Sequence, residues 1–210
     1  MYNDVLRRGR PTAHVVYGEG LAILVGDALL TEAFALLAQE PRDDSPTLAV
    51  RKVQAISLIA AAAGASGMAG GQAIDLRAAS EAAPPDADEL RDMHARKTGA
   101  LIRASGLAGA AMAGASDDVL RAIATYGAQV GLAFQIVDDV LDVEGASANL
   151  GKTAGKDAAA GKPTYPSLYG IDQSRRLASE CIRRATEALS DARIGGHLAA
   201  LAHWVVERKT

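Results

Sequence analysis

The chain has 210 residues, 22 Lys plus Arg against 25 Asp plus Glu, a net charge of −3 and 49% hydrophobic side chains. That balance offers no long-range attraction to nucleic acid, and abundant alanine with an aromatic share of only 4% excludes an all-β fold. Gly, Asp and Glu interrupt every apolar run, so no transmembrane segment is expected, and the lone Cys181 cannot form an internal disulfide, which suits a reducing, cytoplasmic setting.

The chain opens on a Gly/Pro-punctuated basic turn, Arg7-Arg8-Gly9-Arg10-Pro11-Thr12. The apolar stretch that follows imitates a secretion signal, but Glu19, Asp27 and Glu32 lie inside it. From about His14 to Gln39 it is apolar around most of its circumference, the mark of a helix inside a bundle. Ser45-Pro46 starts a second helix, an N-cap followed by proline at the first helical position, which runs past Gly64 towards Leu76. Residues 81–85 read as a loop. Asp86 with Glu89 three residues on forms a capping box opening a helix to about Ser105, with an apolar Gly/Ala-rich stretch to Gly114. Ser116-Asp117-Asp118 caps a long apolar helix that Gly145 is expected to stop. Residues 145–166 read as irregular, and helices at about 173–191 and 197–209 finish the chain. Trp204 falls on an apolar stripe with Leu198, Leu201 and Val205. The four histidines show no ligand spacing and read as surface or half-buried groups. We read the whole, residues 1–210, as one all-α domain.

The most informative segment is Phe134-Gln135-Ile136-Val137-Asp138-Asp139-Val140-Leu141-Asp142. At about 100° per residue, Gln135, Asp138, Asp139 and Asp142 fall within an arc of roughly 100°. Three carboxylates on one patch of an apolar helix repel one another unless they face water or meet a cation. Magnesium answers that repulsion, since it takes carboxylate oxygens and bridges to phosphates; an exposed acidic stripe is the alternative. Just downstream, Lys152, Lys156 and Lys162 lie on a Gly-rich segment, placing cations for a diphosphate beside the carboxylates. Lys152-Thr153 is not a nucleotide-binding P-loop, because no strand precedes it and the glycine spacing is wrong.

Six segments in order then resemble the trans-polyprenyl diphosphate synthase family, of the farnesyl and geranylgeranyl diphosphate synthase type. They are Arg7-Arg8-Gly9-x-Pro11-Thr12, Gly26-Asp27-Ala28-Leu29-Leu30, Gly71-Gln72-x-x-Asp75-Leu76, Lys97-Thr98-Gly99-Ala100-Leu101, Phe134-Gln135-x-x-Asp138-Asp139-x-x-Asp142, and Gly151-Lys152 through Gly161-Lys162-Pro163-Thr164-Tyr165-Pro166. The resemblance implies an isoprenoid-synthase-type helical bundle around a central cavity, usually a homodimer. It also implies Mg²⁺-dependent condensation of an allylic prenyl diphosphate with isopentenyl diphosphate, as in isoprenoid biosynthesis. On this resemblance Asp138, Asp139 and Asp142 hold Mg²⁺, and Lys97, Thr98 and Gln135 lie beside the nascent cation. Arg7, Arg8, Lys97, Lys152 and Lys162 bind substrate diphosphates, with Lys156 assisting, and Gln72 and Asp75 line the cavity in support.

The family carries a further aspartate-rich motif just before the Arg-Arg-Gly. Its last aspartate falls at Tyr2, and Asp4 is displaced by two residues. We therefore expect a chain lacking the N-terminal helices, marginally stable, with exposed apolar faces on the helices at 14–39 and 117–143 and little or no activity as a 210-residue polypeptide. The alternatives are a non-catalytic regulatory subunit of a prenyl diphosphate synthase, a helical interaction protein, and a terpene cyclase. The intact Gln-x-x-Asp-Asp-x-x-Asp, the six ordered motifs and the Lys-Thr and Lys-rich signatures, respectively, disfavour them.

Overall fold

The computed structural model describes residues 4–78, 86–148 and 164–208. Among the described residues the alanine-rich composition gives helices, apart from one two-stranded hairpin. The chain divides into two compact units, Met1–Ile56 and Ser57–Thr210, with the boundary inside a helix, where the sequence reads as one domain.

In the first unit, β1 (Leu6–Arg7) pairs antiparallel with β2 (Arg10–Pro11), Arg7 opposite Arg10. Arg8 and Gly9 both take positive φ, 51° and 74°, as a two-residue hairpin turn with the twist of its strands requires. The Thr12 hydroxyl donates to the Asp4 carbonyl at 2.8 Å and closes the hairpin. The helix expected from His14 is divided at Gly18 into α1 (Ala13–Tyr17) and α2 (Glu19–Gln39), because Gly18 has a φ of 86°. Lys52, on α3 (Pro46–Ala63), donates to the last carbonyls of α2, those of Ala38 and Gln39, both at 3.0 Å. No residue of α2 is buried, and Leu21, Ile23, Leu24, Leu29 and Leu30 are all exposed, as expected for this helix. By length and composition alone α2 is long and apolar enough to cross a membrane, as is the stretch Pro46–Ala78, contrary to the expectation that charges and glycines make every run too short. Core helices of helical bundles meet the same criterion.

In the second unit a turn at residues 64–67 separates α3 from α4 (Met68–Ala78), so the helix expected to run through Gly64 is interrupted. Residues 81–85 lie outside the described residues. The capping box forms as expected at α5 (Ala87–His94): the Asp86 carboxylate accepts from the Asp88 and Glu89 amides, both at 2.9 Å, and Glu89 accepts from the Asp86 amide at 3.0 Å. A π-helical turn, Ala95–Gly99, joins α5 to α6 (Ala100–Met112), which Gly114 ends with a φ of 73° and an Ala115-to-Ala110 hydrogen bond.

The central element is α7 (Asp117–Ala148), which runs through Gly145 instead of stopping there. The segment expected to be irregular, 145–166, overlaps the end of α7, and its residues 149–163 lie outside the described residues. Its last two residues begin α8 (Tyr165–Tyr169), which is capped by Thr164 with Ser167. After it come α9 (Ile171–Asp191) and α10 (Leu198–Glu207). Ile123, Tyr126, Val130, Ala133, Ile136 and Val137 of α7 form the core with Ala178, Cys181, Ile182, Ala185 and Leu189 of α9 and Ala202 and Val205 of α10. The Tyr126 hydroxyl ties α7 to α10 by donating to the Leu198 carbonyl at 2.8 Å. The exposed apolar face expected on 117–143 is therefore absent: its large apolar side chains are buried or half-buried against α6, α9 and α10. Leu201 and Trp204 on α10 stay exposed while Val205 is buried.

Candidate active site

Three glycines set the geometry of the second unit. A Cβ on Gly71 of α4 meets the Lys97 main-chain nitrogen at 2.3 Å, and one on Gly131 of α7 meets the Gly99 Cα at 2.7 Å. A Cβ on Gly127 of α7 would likewise meet the Arg103 Cα of α6 at 2.6 Å. Helix α4, the π turn and α7 thus touch backbone to backbone, and this brings Asp75, Lys97-Thr98 and the acidic face of α7 into one neighbourhood. A π turn shifts the hydrogen-bond register by one residue and is a recurrent feature of functional sites. Lys97 and Thr98, both half-buried, lie in that turn.

Asp75 is 5% exposed, accepting from the Lys97 ammonium at 2.8 Å and from the Gln72 amide at 3.3 Å. A buried carboxylate is stable only with such partners, so Gln72 and Asp75 hold the Lys97 side chain in place.

Gln135, Asp138, Asp139 and Asp142 share one face of α7, as their spacing predicts. Asp139 is half-buried and accepts the Tyr165 main-chain N–H at 2.9 Å. Burial pushes its carboxyl up to about 7; the Tyr165 N–H pulls it down, neighbouring Asp138 and Asp142 push it further up, and Lys97 draws it back. Lys97 therefore acts electrostatically on Asp139. Asp138 is 60% exposed on its side chain and meets Arg208 (Nη2 to Oδ1, 3.1 Å). Arg208 itself is 9% exposed, donates to the Phe134 carbonyl at 3.2 Å and lies 4.0 Å above the Phe134 ring. Sequence reasoning gave no hint of Arg208, 70 residues away from Asp138 in the chain.

Among the described residues no three His, Cys, Asp or Glu side chains converge as a ready-made metal cage. The expected trio stays on one face without meeting at a point, because Asp138 turns to Arg208 and Asp139 to Tyr165. This donor set still fits magnesium, which binds through one or two carboxylates and completes its shell with water and substrate phosphate. Three carboxylates on one face of α7, one of them half-buried, are the observation behind that fit: a cation offsets the burial that raises the Asp139 carboxyl and relieves the smaller repulsion from Asp138 and Asp142.

The structure brings together Lys97, Thr98, Gln135, Asp138, Asp139 and Asp142. Arg7 and Arg8 are exposed at the hairpin of the first unit, and Lys152, Lys156 and Lys162 lie outside the described residues. His94, expected at the surface or half-buried, is buried and stacks on Tyr165 with ring centroids 5.9 Å apart.

Two predictions follow from this geometry. In metal-free solution the Asp139 carboxyl, about 7 in the fold against its ordinary 3.8, holds its proton in the folded state over a range where the unfolded chain has lost it. Stability therefore falls as pH rises from about 4 to about 7 and is flat above. Asp139→Asn removes this slope and stabilises the apo-protein above pH 7 by on the order of 2–4 kcal/mol, read as melting temperature against pH in a chelator. Arg208→Met keeps the stem but loses the guanidinium contacts. It is expected to cost about 1–2 kcal/mol of stability and to strengthen divalent-cation binding by freeing Asp138, measured by calorimetry.

The second unit is thus a helical bundle with an acid-bearing helix packed against a Lys-Thr π turn, and the comparisons place the chain in a family. The polyprenyl synthetase family matches residues 1–194, and the chain belongs to that family. Farnesyl diphosphate synthase of Escherichia coli is 44% identical over 216 residues, covering 99% of this chain and 70% of its own. An FPP/GFPP synthase structure from Zymomonas mobilis superposes with a TM-score of 0.81 at 34% identity, covering 97% of this chain and 67% of that one. Geranyltransferase from Helicobacter pylori, solved with magnesium and isoprenyl diphosphate, gives 0.77 at 29%, covering 97% and 64%. The chain spans between 51% and 70% of the length of the curated relatives it matches.

Proposed function

We propose that this sequence forms the second-aspartate-motif portion of a Mg²⁺-dependent prenyltransferase that condenses an allylic prenyl diphosphate with isopentenyl diphosphate. The observation that carries this reading is Asp139, half-buried beside Asp138 and Asp142, with its carboxyl raised to about 7 and Lys97 near enough to lower it. When bound, magnesium neutralises charge developing on the departing diphosphate. In the reaction the allylic C–O bond breaks with release of diphosphate. The isopentenyl alkene then forms the new C–C bond, and a proton is lost to restore a double bond.

Asp139 and Asp142 present oxygens for the metal, and Asp138 joins them when Arg208 releases it. Lys97, held by Asp75, brings positive charge to the allylic diphosphate. Thr98 and Gln135 lend main-chain and side-chain oxygen to the positive charge forming at the allylic carbon. Arg7, Arg8, Lys152 and Lys162 bind the diphosphates, a role supported by their place in the family's motifs. We read the two units as parts of one polyprenyl synthetase domain, supported by a family match running across both. The exposed apolar side chains of α2 support a homodimer, and the buried free thiol of Cys181 suits a cytoplasmic, reducing location.

The test is prenyl transfer from dimethylallyl, geranyl or farnesyl diphosphate to isopentenyl diphosphate. It is run on the 210-residue polypeptide and on the same polypeptide preceded by the aspartate-rich segment of a relative. We expect product from the extended chain, at least a thousandfold less from the 210 residues alone, and none from the extended chain carrying Asp139→Asn. No product from an extended chain that binds magnesium pyrophosphate would overturn the reading.

A further inference from the structure

A second cavity, of about 270 Å³, lies a quarter-turn round α7 from the aspartates, between α5, α7, α8 and α9. Its lining includes Leu132 and Ile136 of α7, Leu177 and Cys181 of α9, and the rings of Tyr165 and Tyr169, whose centroids are 6.0 Å apart. Burial pushes the Cys181 thiol up, so it stays neutral and acts as apolar wall. The Tyr165 hydroxyl supplies a donor beside these apolar walls.

The polar lining sets Arg91 and Arg184 against Asp88 and Glu180, together with Gln129 and Gln173. Glu180 is already engaged by Arg183 at 2.6 Å and Arg184 at 2.9 Å, which hold its carboxyl down at about 2. Arg184 is thereby spent on Glu180. Among the described residues Arg91 forms no ion pair, and its charge is felt at both Tyr165 and Cys181. Asp88 shares the lining in the first turn of α5, where the helix end offsets its charge. One guanidinium without an ion-pair partner among the described residues suits a singly charged head, and with Asp88 in the same lining it offers too little positive charge to hold a diphosphate.

We infer that this cavity is a binding site for a small amphipathic carboxylate, its head on Arg91 and the Tyr165 hydroxyl and its apolar tail over Leu132, Ile136 and Leu177. The volume sits at the lower end of ligand sites, which limits the occupant to a short chain. Tyr165 also carries the N–H that Asp139 accepts at 2.9 Å, so a ligand against its ring disturbs the residue that anchors Asp139. The site itself rests on the cavity alone and not on the prenyltransferase reading.

The test is titration of the metal-free 210-residue chain with octanoate, followed by amide NMR and calorimetry, with octanol and inorganic pyrophosphate as comparators. Saturable octanoate binding is expected, with shifts at Leu132, Tyr165, Leu177 and Cys181. Octanol should bind at least tenfold more weakly, and pyrophosphate should not displace the ligand. Arg91→Met, on the solvent side of α5, should weaken octanoate at least tenfold, and Leu132→Trp should fill the cavity and abolish binding, with helical circular dichroism retained in both. Three results would each overturn the site: no saturable binding at 10 mM octanoate, shifts confined to α2, or equal affinity in wild type and folded Arg91→Met.

Discussion

Gly71→Val is expected to lower stability by about 3 kcal/mol or more and to dismantle the Lys97 arrangement with it. Its Cβ meets the Lys97 nitrogen at 2.3 Å and the Lys97 Cα at 2.7 Å, both main-chain atoms that no rotamer change can move. Helix α4 must back away from the π turn, taking the Asp75 carboxylate out of reach of Lys97. Thermal melts of the variant give the size, and the loss should be much smaller for Gly109→Ala on α6, where an added Cβ meets nothing within 4 Å. That control replaces a helical glycine in open space and is expected to be neutral or to stabilise by up to about 1 kcal/mol. Equal losses for the two would show that the close approach of α4 to the π turn does not hold the fold together.

Lys97→Met is the second large effect. It removes from Asp75, 5% exposed, the ammonium that donates to it at 2.8 Å. Removing one member of a buried pair costs about 3–5 kcal/mol, and the partial exposure of the Lys97 side chain, 31%, places this variant at the lower end. Lys97→Met with Asp75→Asn should recover most of the loss, because the charge left behind is gone. A double-mutant cycle by urea unfolding measures this, and the coupling is expected to be on the order of 2 kcal/mol. Additive losses would mean that Asp75 does not depend on Lys97. The single variant should also raise the Asp139 carboxyl further, since Lys97 is what draws it down.

Much of this was legible in the residues, and the parts that were not have physical reasons. The Asp86–Glu89 capping box and the acidic face at 135–142 were readable because both depend only on spacing along one helix. The π turn at Ala95–Gly99 was not, since a one-residue shift of hydrogen-bond register leaves the sequence pattern of a helix unchanged. Gly145 misled as a stop because a helical glycine costs only about 1 kcal/mol, less than α7 gains from its packing. The Tyr165 N–H on Asp139 is a main-chain donor, invisible in side-chain patterns. Arg208 reaches Asp138 and Phe134 only through the packing of α10 on α7. The helical glycines at 71, 127 and 131 are the sequence signal for close backbone contact, and of these only Gly71 belongs to one of the family's motifs.

On the proposed reading, the aspartate face of α7 holds a divalent cation together with a diphosphate. Calorimetric titration of the 210-residue chain with inorganic pyrophosphate, with and without Mg²⁺, at pH 8, is the decisive measurement. Weak binding that requires Mg²⁺ is expected, at least tenfold weaker in Asp138→Ala and abolished in Asp139→Asn, with both variants folded. Binding of the same strength in chelator, or unchanged in folded Asp139→Asn, would contradict it.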